Sequence, residues 1–178
     1  MAIVGDYNSC GSRSAFYIID EGRGFKEFDD KESAEYAHGV QSKLSQYNLA
    51  PKVLSDIGKI RYRDNLELSR WGYISEMAEI IGCGGNECSC GDCDDDLPYQ
   101  NQNKIDKLIR KIDDLGLEFM DAHIGNVGYI RRNGKKVLVC IDCGEESVYD
   151  ADVSDDDNDY EDDYCGCEMC KQRKRNNV

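Results

Sequence analysis

Residues 11–28 alternate between apolar and polar side chains. GSRSAFYIID and GFKEF lie on either side of Glu21-Gly22-Arg23-Gly24, which predicts a β-hairpin with glycines available for positive φ. From Asp29 the period lengthens. DDKESAEYAHGVQSKLSQYN offers Asp29 or Asp30 as an N-cap and acidic residues in its first turn. Ala34, Ala37, Val40 or Gln41, and Leu44 follow at helical spacing. Pro51 marks the exit. PKVLSDIGKIRYR predicts an extended segment and a hairpin bending at Gly58, and WGYISEMAEII predicts a further strand. Residues 82–103, rich in Gly, Cys, Asp and Asn, predict a loop excursion. In NKIDKLIRKIDDLGLEFM, Ile105, Leu108, Ile109, Ile112 and Leu115 recur with the period of a helix, and Gly116 is its expected C-cap. Asp121 to Asn126 is a polar loop. VGYIRR and KKVLVCID then flank Asn133-Gly134, the strongest short-range hairpin signal. After Gly144 the apolar content collapses, and DADVSDDDNDYEDDY has the composition of disorder.

Charge sharpens this division. The 178 residues carry a net charge of −14, but 13 carboxylates and no Lys or Arg lie between Val137 and Cys170. The last eight residues carry +4, which leaves only −5 for residues 1–136. The acidity belongs to a tail on an otherwise ordinary body, and the 40 % hydrophobic fraction is enough for a core. No apolar run is long enough to span a membrane, and MAIVGDYNSC lacks a signal-peptide pattern, so a cytoplasmic location is expected. The negative balance argues against direct nucleic-acid binding through phosphate contacts.

The most specific pattern is FMDAHIGNVGYIRRNGKKVLVCIDCG. Asp121 stands five residues before Asn126, and the hairpin then delivers Asp142-Cys143-Gly144. This resembles the catalytic core of the protein-kinase-like superfamily, with its Asp-x-x-x-x-Asn loop and Asp-Phe-Gly tripeptide. The DAHIGN loop is most similar to the branch that includes aminoglycoside and choline phosphotransferases. The resemblance implies that Asp121 is the base and that Asn126 and Asp142 are Mg2+ ligands. Lys26 in GFKEF takes the place of the lysine that meets the ATP phosphates. Glu76, Met77 and Ala78 form the hinge where adenine would meet backbone. His123 is either a structural hydrogen-bonder or a loop-positioning residue. The glycine-rich loop is represented by Gly5 and Gly11, six apart and followed by Ser12 and Ser14. For the helix glutamate that pairs with Lys26, Glu35 is the nearest candidate, although the expected position falls near Ala37, on the face that Gln41 shares. Cys143 replaces the Phe of the tripeptide.

The implied fold is α+β, a minimal protein-kinase-like architecture with an antiparallel small lobe carrying one helix, and a reduced large lobe. Residues 1–81 would form the small lobe and hinge. Residues 82–146 would form the reduced large lobe with a Cys-rich insertion at 82–97, and residues 147–178 an acidic tail.

Seven of ten cysteines cluster. Cys88-x-Cys90-x-x-Cys93 and Cys165-x-Cys167-x-x-Cys170 share one spacing, with Cys83 just upstream of the first. Such close thiolates bridge one another only with strain but converge readily on a soft ion, for which Zn2+ is favoured over an iron–sulfur cluster, disulfides or free thiols. Either one four-thiolate site draws on both clusters, or two sites form with another ligand or a bridging sulfur. A shared site would staple the tail to the body and replace part of the missing large lobe.

Two functions follow. One is an ATP-dependent phosphotransferase acting on a hydroxyl of a protein or small molecule. The other is a pseudokinase or zinc-stapled interaction module whose acidic tail contacts a basic partner.

Overall fold

A computed structural model of the chain describes residues 14–61, 69–81 and 97–150. Within them the fold is α+β, with two helices and three antiparallel sheets. The cysteines assigned to zinc (Cys83, Cys88, Cys90, Cys93, Cys165, Cys167 and Cys170), together with Gly5, Gly11 and Ser12, lie outside the described residues.

Strands β1 (Ser14–Asp20) and β2 (Arg23–Phe28) form the expected hairpin, turning at Glu21-Gly22 with Gly22 at φ +89°. Helix α1 (Lys31–Gln46) follows the strand that carries Lys26. Asp30 is its N-cap, with a carboxylate oxygen accepting from the Ser33 amide at 2.8 Å. Strands β3 (Gly58–Arg61) and β4 (Ser69–Glu76) complete a sheet of order β1-β2-β4-β3. Gly58 opens β3 rather than bending a hairpin. The segment before it bonds to the end of β4 instead, through Leu54 N–H to the Ile74 carbonyl and the Val53–Ser75 bridge. Gly72 on β4 is required by close approach, because a Cβ there would lie 1.8 Å from the Lys26 carbonyl oxygen and against the Phe25 ring.

Beyond a break at Met77-Ala78, β5 (Glu79–Ile80) joins the hairpin β7 (Val127–Arg132) and β8 (Lys135–Cys140) in the order β5-β7-β8. Asn133 and Gly134 turn that hairpin with φ of 51° and 77°, as the sequence predicts. Helix α2 (Leu97–Asp113) begins earlier than its apolar stripe, so residues 97–103 are helical and not loop. Pro98 is tolerated in the first turn, where its missing N–H has no intrahelical partner. Gly116, at φ 73°, lies three residues past the helix and leads into β6 (Leu117–Phe119).

The largest correction concerns the chain after Gly144. Residues 148–150 are not tail. They form β9 (Val148–Asp150), paired with β6, and Val148 is fully buried. The described fold therefore continues through Asp150.

Two apolar clusters hold these elements. The larger gathers Ile105, Leu108 and Ile112 of α2 with Leu44, Leu49, Leu117, Phe119, Val127, Cys140, Cys143 and Val148. The smaller packs Phe28, Ala34, Ala37 and Tyr73 between α1 and the first sheet. Helix α1 reaches both, because its buried face runs Ala34, Ala37, Gln41, Leu44. Among the described residues no helix is long and apolar enough to cross a membrane.

Candidate functional site

Where α1 and the first sheet approach the β7–β8 hairpin, the fold gathers four of the residues singled out by sequence. Lys26 sits in mid-strand on β2 and is nine-tenths buried. Its Nζ donates to the Ile141 carbonyl at 2.7 Å and reaches Gln41 Oε1 at 3.4 Å. No carboxylate among the described residues forms an ion pair with it. Lys26 is thus a buried ammonium held by neutral oxygens.

Its helix partner is Gln41 and not a glutamate. Glu35 points to solvent and pairs with Lys31 one turn earlier, while Ala37 packs in the smaller core. The Gln41 amide is fully used. Its Oε1 accepts from Tyr73 Oη at 2.8 Å and from Lys26; its Nε2 donates to the Pro51 carbonyl at 3.0 Å and to Ser75 Oγ at 2.7 Å. A carboxylate at this position would set a second acceptor against the Pro51 carbonyl, so the surroundings specify an amide. Tyr73 is fully buried. Burial, assisted by Cys143, Asp142 and Cys140, pushes its hydroxyl well above the usual tyrosine range, so it stays a donor to Gln41.

The second half of the site lies in the loops around β7 and β8. The Asp121–Asn126 loop is closed by its own backbone, with His123 N–H to the Asp121 carbonyl and Asn126 N–H to the His123 carbonyl. His123 Nδ1 accepts from the Gly125 amide at 3.0 Å, and its Nε2 lies 3.4 Å from Asp121 Oδ2. Its ring thus contacts both ends of the loop. Asn126 Nδ2 donates to Asp121 Oδ2 at 2.8 Å and to the Asp121 carbonyl at 3.0 Å, and reaches Ser147 Oγ at 3.4 Å. These bonds turn Asn126 Oδ1 to the other side of its amide. Ser147 Oγ donates to Asp142 Oδ2 at 2.8 Å, and Asp142 Oδ1 accepts from the Gly144 amide at 3.1 Å.

Asp121, Asn126, Ser147 and Asp142 therefore form one chain of hydrogen bonds. Lys26 joins it through the carbonyl of Ile141, whose N–H in turn donates to the Asn126 carbonyl at 2.9 Å.

Two members were not found by sequence. Gln41 had a signal, a polar residue on an otherwise apolar helix face. Ser147 had none, since its place depends on β9 pairing with β6 across some thirty residues.

The hinge residues are connected differently. Glu76 N–H donates to the Lys52 carbonyl and Met77 N–H to the Gly22 carbonyl, both at 2.8 Å. The Glu76 side chain takes a two-pronged bond from Arg132, at 2.6 Å to each oxygen. Burial works to raise this carboxyl, but the bonds from Arg132 and the Lys52 amide outweigh it and hold it below the usual range. Ala78 lies against the second sheet, its Cβ near Gly128.

Cys143, in the place of the tripeptide Phe, is fully buried, with its sulfur 4.0 Å from that of Cys140. Both are free thiols. Burial first, then Cys143 and Asp142, push Cys140 well above the ordinary thiol range.

Among the described residues no group of three or more His, Cys, Asp or Glu side chains is placed to hold a metal ion. Mg2+ held beside phosphates needs only one or two protein oxygens, and Asp142 and Asn126 are the residues of the hydrogen-bonded chain that would hold it. Compared with protein-family profiles and with curated protein sequences, the chain gives no match.

Proposed function

We propose that this chain is an ATP-dependent phosphotransferase of minimal protein-kinase-like architecture, acting on the hydroxyl of a small molecule or protein. The observation that carries the reading is the Lys26 ammonium. It is buried, its acceptors among the described residues are all neutral, and it is wired to Asp142 and Asn126 within one cluster. A buried cation without a protein counter-charge is a seat for an anion. In this reading Lys26 takes phosphate oxygens, while Asp142 and Asn126 hold Mg2+, which when bound neutralises the charge spread over the transferred group. Asp121, with a side chain 55 % exposed, accepts the proton of an incoming hydroxyl. Zn2+ belongs to a separate, structural role at Cys83, Cys88, Cys90, Cys93, Cys165, Cys167 and Cys170.

A second reading, a pseudokinase or zinc-stapled binding module, draws support from the hinge. The Glu76 and Met77 amides that would meet adenine are both committed internally.

Thermal shift with Mg-ATP beside ATP turnover, for wild type and Asp142→Asn, separates these readings. Saturation at about 100 times Kd stabilises a binding protein by about 2.7 kcal/mol. The phosphotransferase reading expects that shift in wild type, with its loss and the loss of turnover in Asp142→Asn. A shift without turnover across a panel of hydroxyl compounds supports the binding module. No shift at all removes nucleotide binding.

A further inference from the structure

A groove of about 230 Å³ runs between α2 and the start of β8. Leu49, Leu108, Val137 and Leu138 give it an apolar floor, and Lys104, Lys107 and Lys111 stand along one edge. These lysines are exposed and spaced three and four residues apart, so they share one face of the helix. Lys104 Nζ donates to the neutral oxygens of Tyr129 and Asn101. Among the described residues none of the three lysines forms an ion pair, and no carboxylate lines the groove. In a chain of net charge −14 this is an uncompensated cationic strip over an apolar floor.

We propose that the groove is the docking site of the chain's own acidic segment, Asp152–Asp163. Charge complementarity identifies the occupant. The segment holds eight carboxylates and no Lys or Arg, with Val153 and Tyr160 among them and Tyr164 just beyond. Carboxylates meet the lysines while the apolar side chains cover the floor. The point of departure fits as well. The described chain leaves β9 at Asp150, opposite Leu117, which follows the C-terminal end of α2 by four residues. Lys111 is at that end. From there to Lys104 is seven residues of helix, roughly 10 Å, well within reach of a segment that extends by about 3.3 Å per residue. A second cleft, at α2 and β6, is lined by Asp113 and Glu118 beside Met120, and its charge repels the same segment. A course along the groove from Lys111 to Lys104 carries Cys165, Cys167 and Cys170 toward the end of α2 that follows Cys83–Cys93 in sequence. The basic partner of the tail is thus on the same molecule.

Zero-length carbodiimide coupling of the full chain, mapped by mass spectrometry, tests this. The expected result is coupling of Lys104, Lys107 and Lys111 to carboxylates between Asp152 and Asp163 within single molecules. Yields should exceed those for the exposed control Lys52 of the same chain by about tenfold, because docking raises the local concentration of the segment at the groove. The products should survive a chelator and fade in about 1 M salt, where the screening length is roughly 3 Å. Lys104→Glu/Lys107→Glu/Lys111→Glu should abolish them. The exposed-site variant Lys107→Gln/Lys111→Gln, with unchanged circular dichroism, should weaken coupling at Lys104 and thereby exclude misfolding as the cause. Coupling only between two copies, equal coupling at Lys52, or loss on chelation alone would each overturn the proposal.

Discussion

The two halves of the candidate site treat their polar groups in opposite ways. Around Gln41, every side-chain polar atom of the amide is bonded inside the protein, and its neighbours Tyr73 and Ser75 are buried. Around Asp121 and Asn126, the same kind of hydrogen-bonded chain lies at the surface, with Asp121 more than half exposed. The first arrangement fixes geometry, because each lost partner strands another buried polar group. The second keeps groups in place while leaving oxygens turned outward. A rigid scaffold holding exposed polar groups is the arrangement that the proposed phosphotransfer requires.

The contrast is best broken at Gln41. Gln41→Leu strands the Pro51 carbonyl and Tyr73 Oη, leaves Ser75 Oγ only its bond to the Glu76 carbonyl, and removes an acceptor from Lys26. A loss of about 3–5 kcal/mol is expected in urea unfolding. A loss below about 1 kcal/mol would show that this half of the site is no more rigid than the other.

Next in size is the Glu76–Arg132 pair. Its folded-state carboxyl lies below the unfolded value of about 4.3. Its stabilisation is therefore complete above that value and lost as pH falls through the lower folded one. Wild type should exceed Glu76→Gln by about 1–2 kcal/mol at pH 7, with the two converging in acid. Parallel pH profiles would show that the pair does no such work.

Ser147→Ala should cost about 1 kcal/mol and free Asp142 Oδ2, read as lower stability and weaker Mg-ATP binding together. The smallest expected stability change is for Asp121→Asn, within about 0.5 kcal/mol of wild type. If Asp121 accepts the substrate proton, that variant keeps nucleotide binding but loses turnover by roughly two orders of magnitude or more.

How much was legible in sequence follows the same line between local and distant causes. The β7–β8 hairpin, the Asp30 cap and the stripe of α2 were readable, because Asn133-Gly134, a capping carboxylate and a 3.6-residue period act over a few positions. Lys26 and the Asp121–Asn126 loop were readable as residues at recognisable spacings. Strand β9 was not, because three residues beside an acidic run gain their structure from β6 and from burying Val148. On α1 charge is a misleading guide: a glutamate is the expected partner of Lys26, whereas the Pro51 carbonyl demands a donor as well as an acceptor.

Ile141 has a backbone held at both ends. Its N–H is tied to the Asn126 carbonyl and its carbonyl to Lys26, and that carbonyl shares a peptide plane with the nitrogen of Asp142. In the phosphotransferase reading, a phosphate that draws the ammonium away releases one edge of that plane, which lies three bonds from the Asp142 carboxyl carbon. In that reading an anion beside Lys26 reaches Asp142 through the backbone of Ile141, and the amide proton of Ile141 stands where nuclear magnetic resonance would register it.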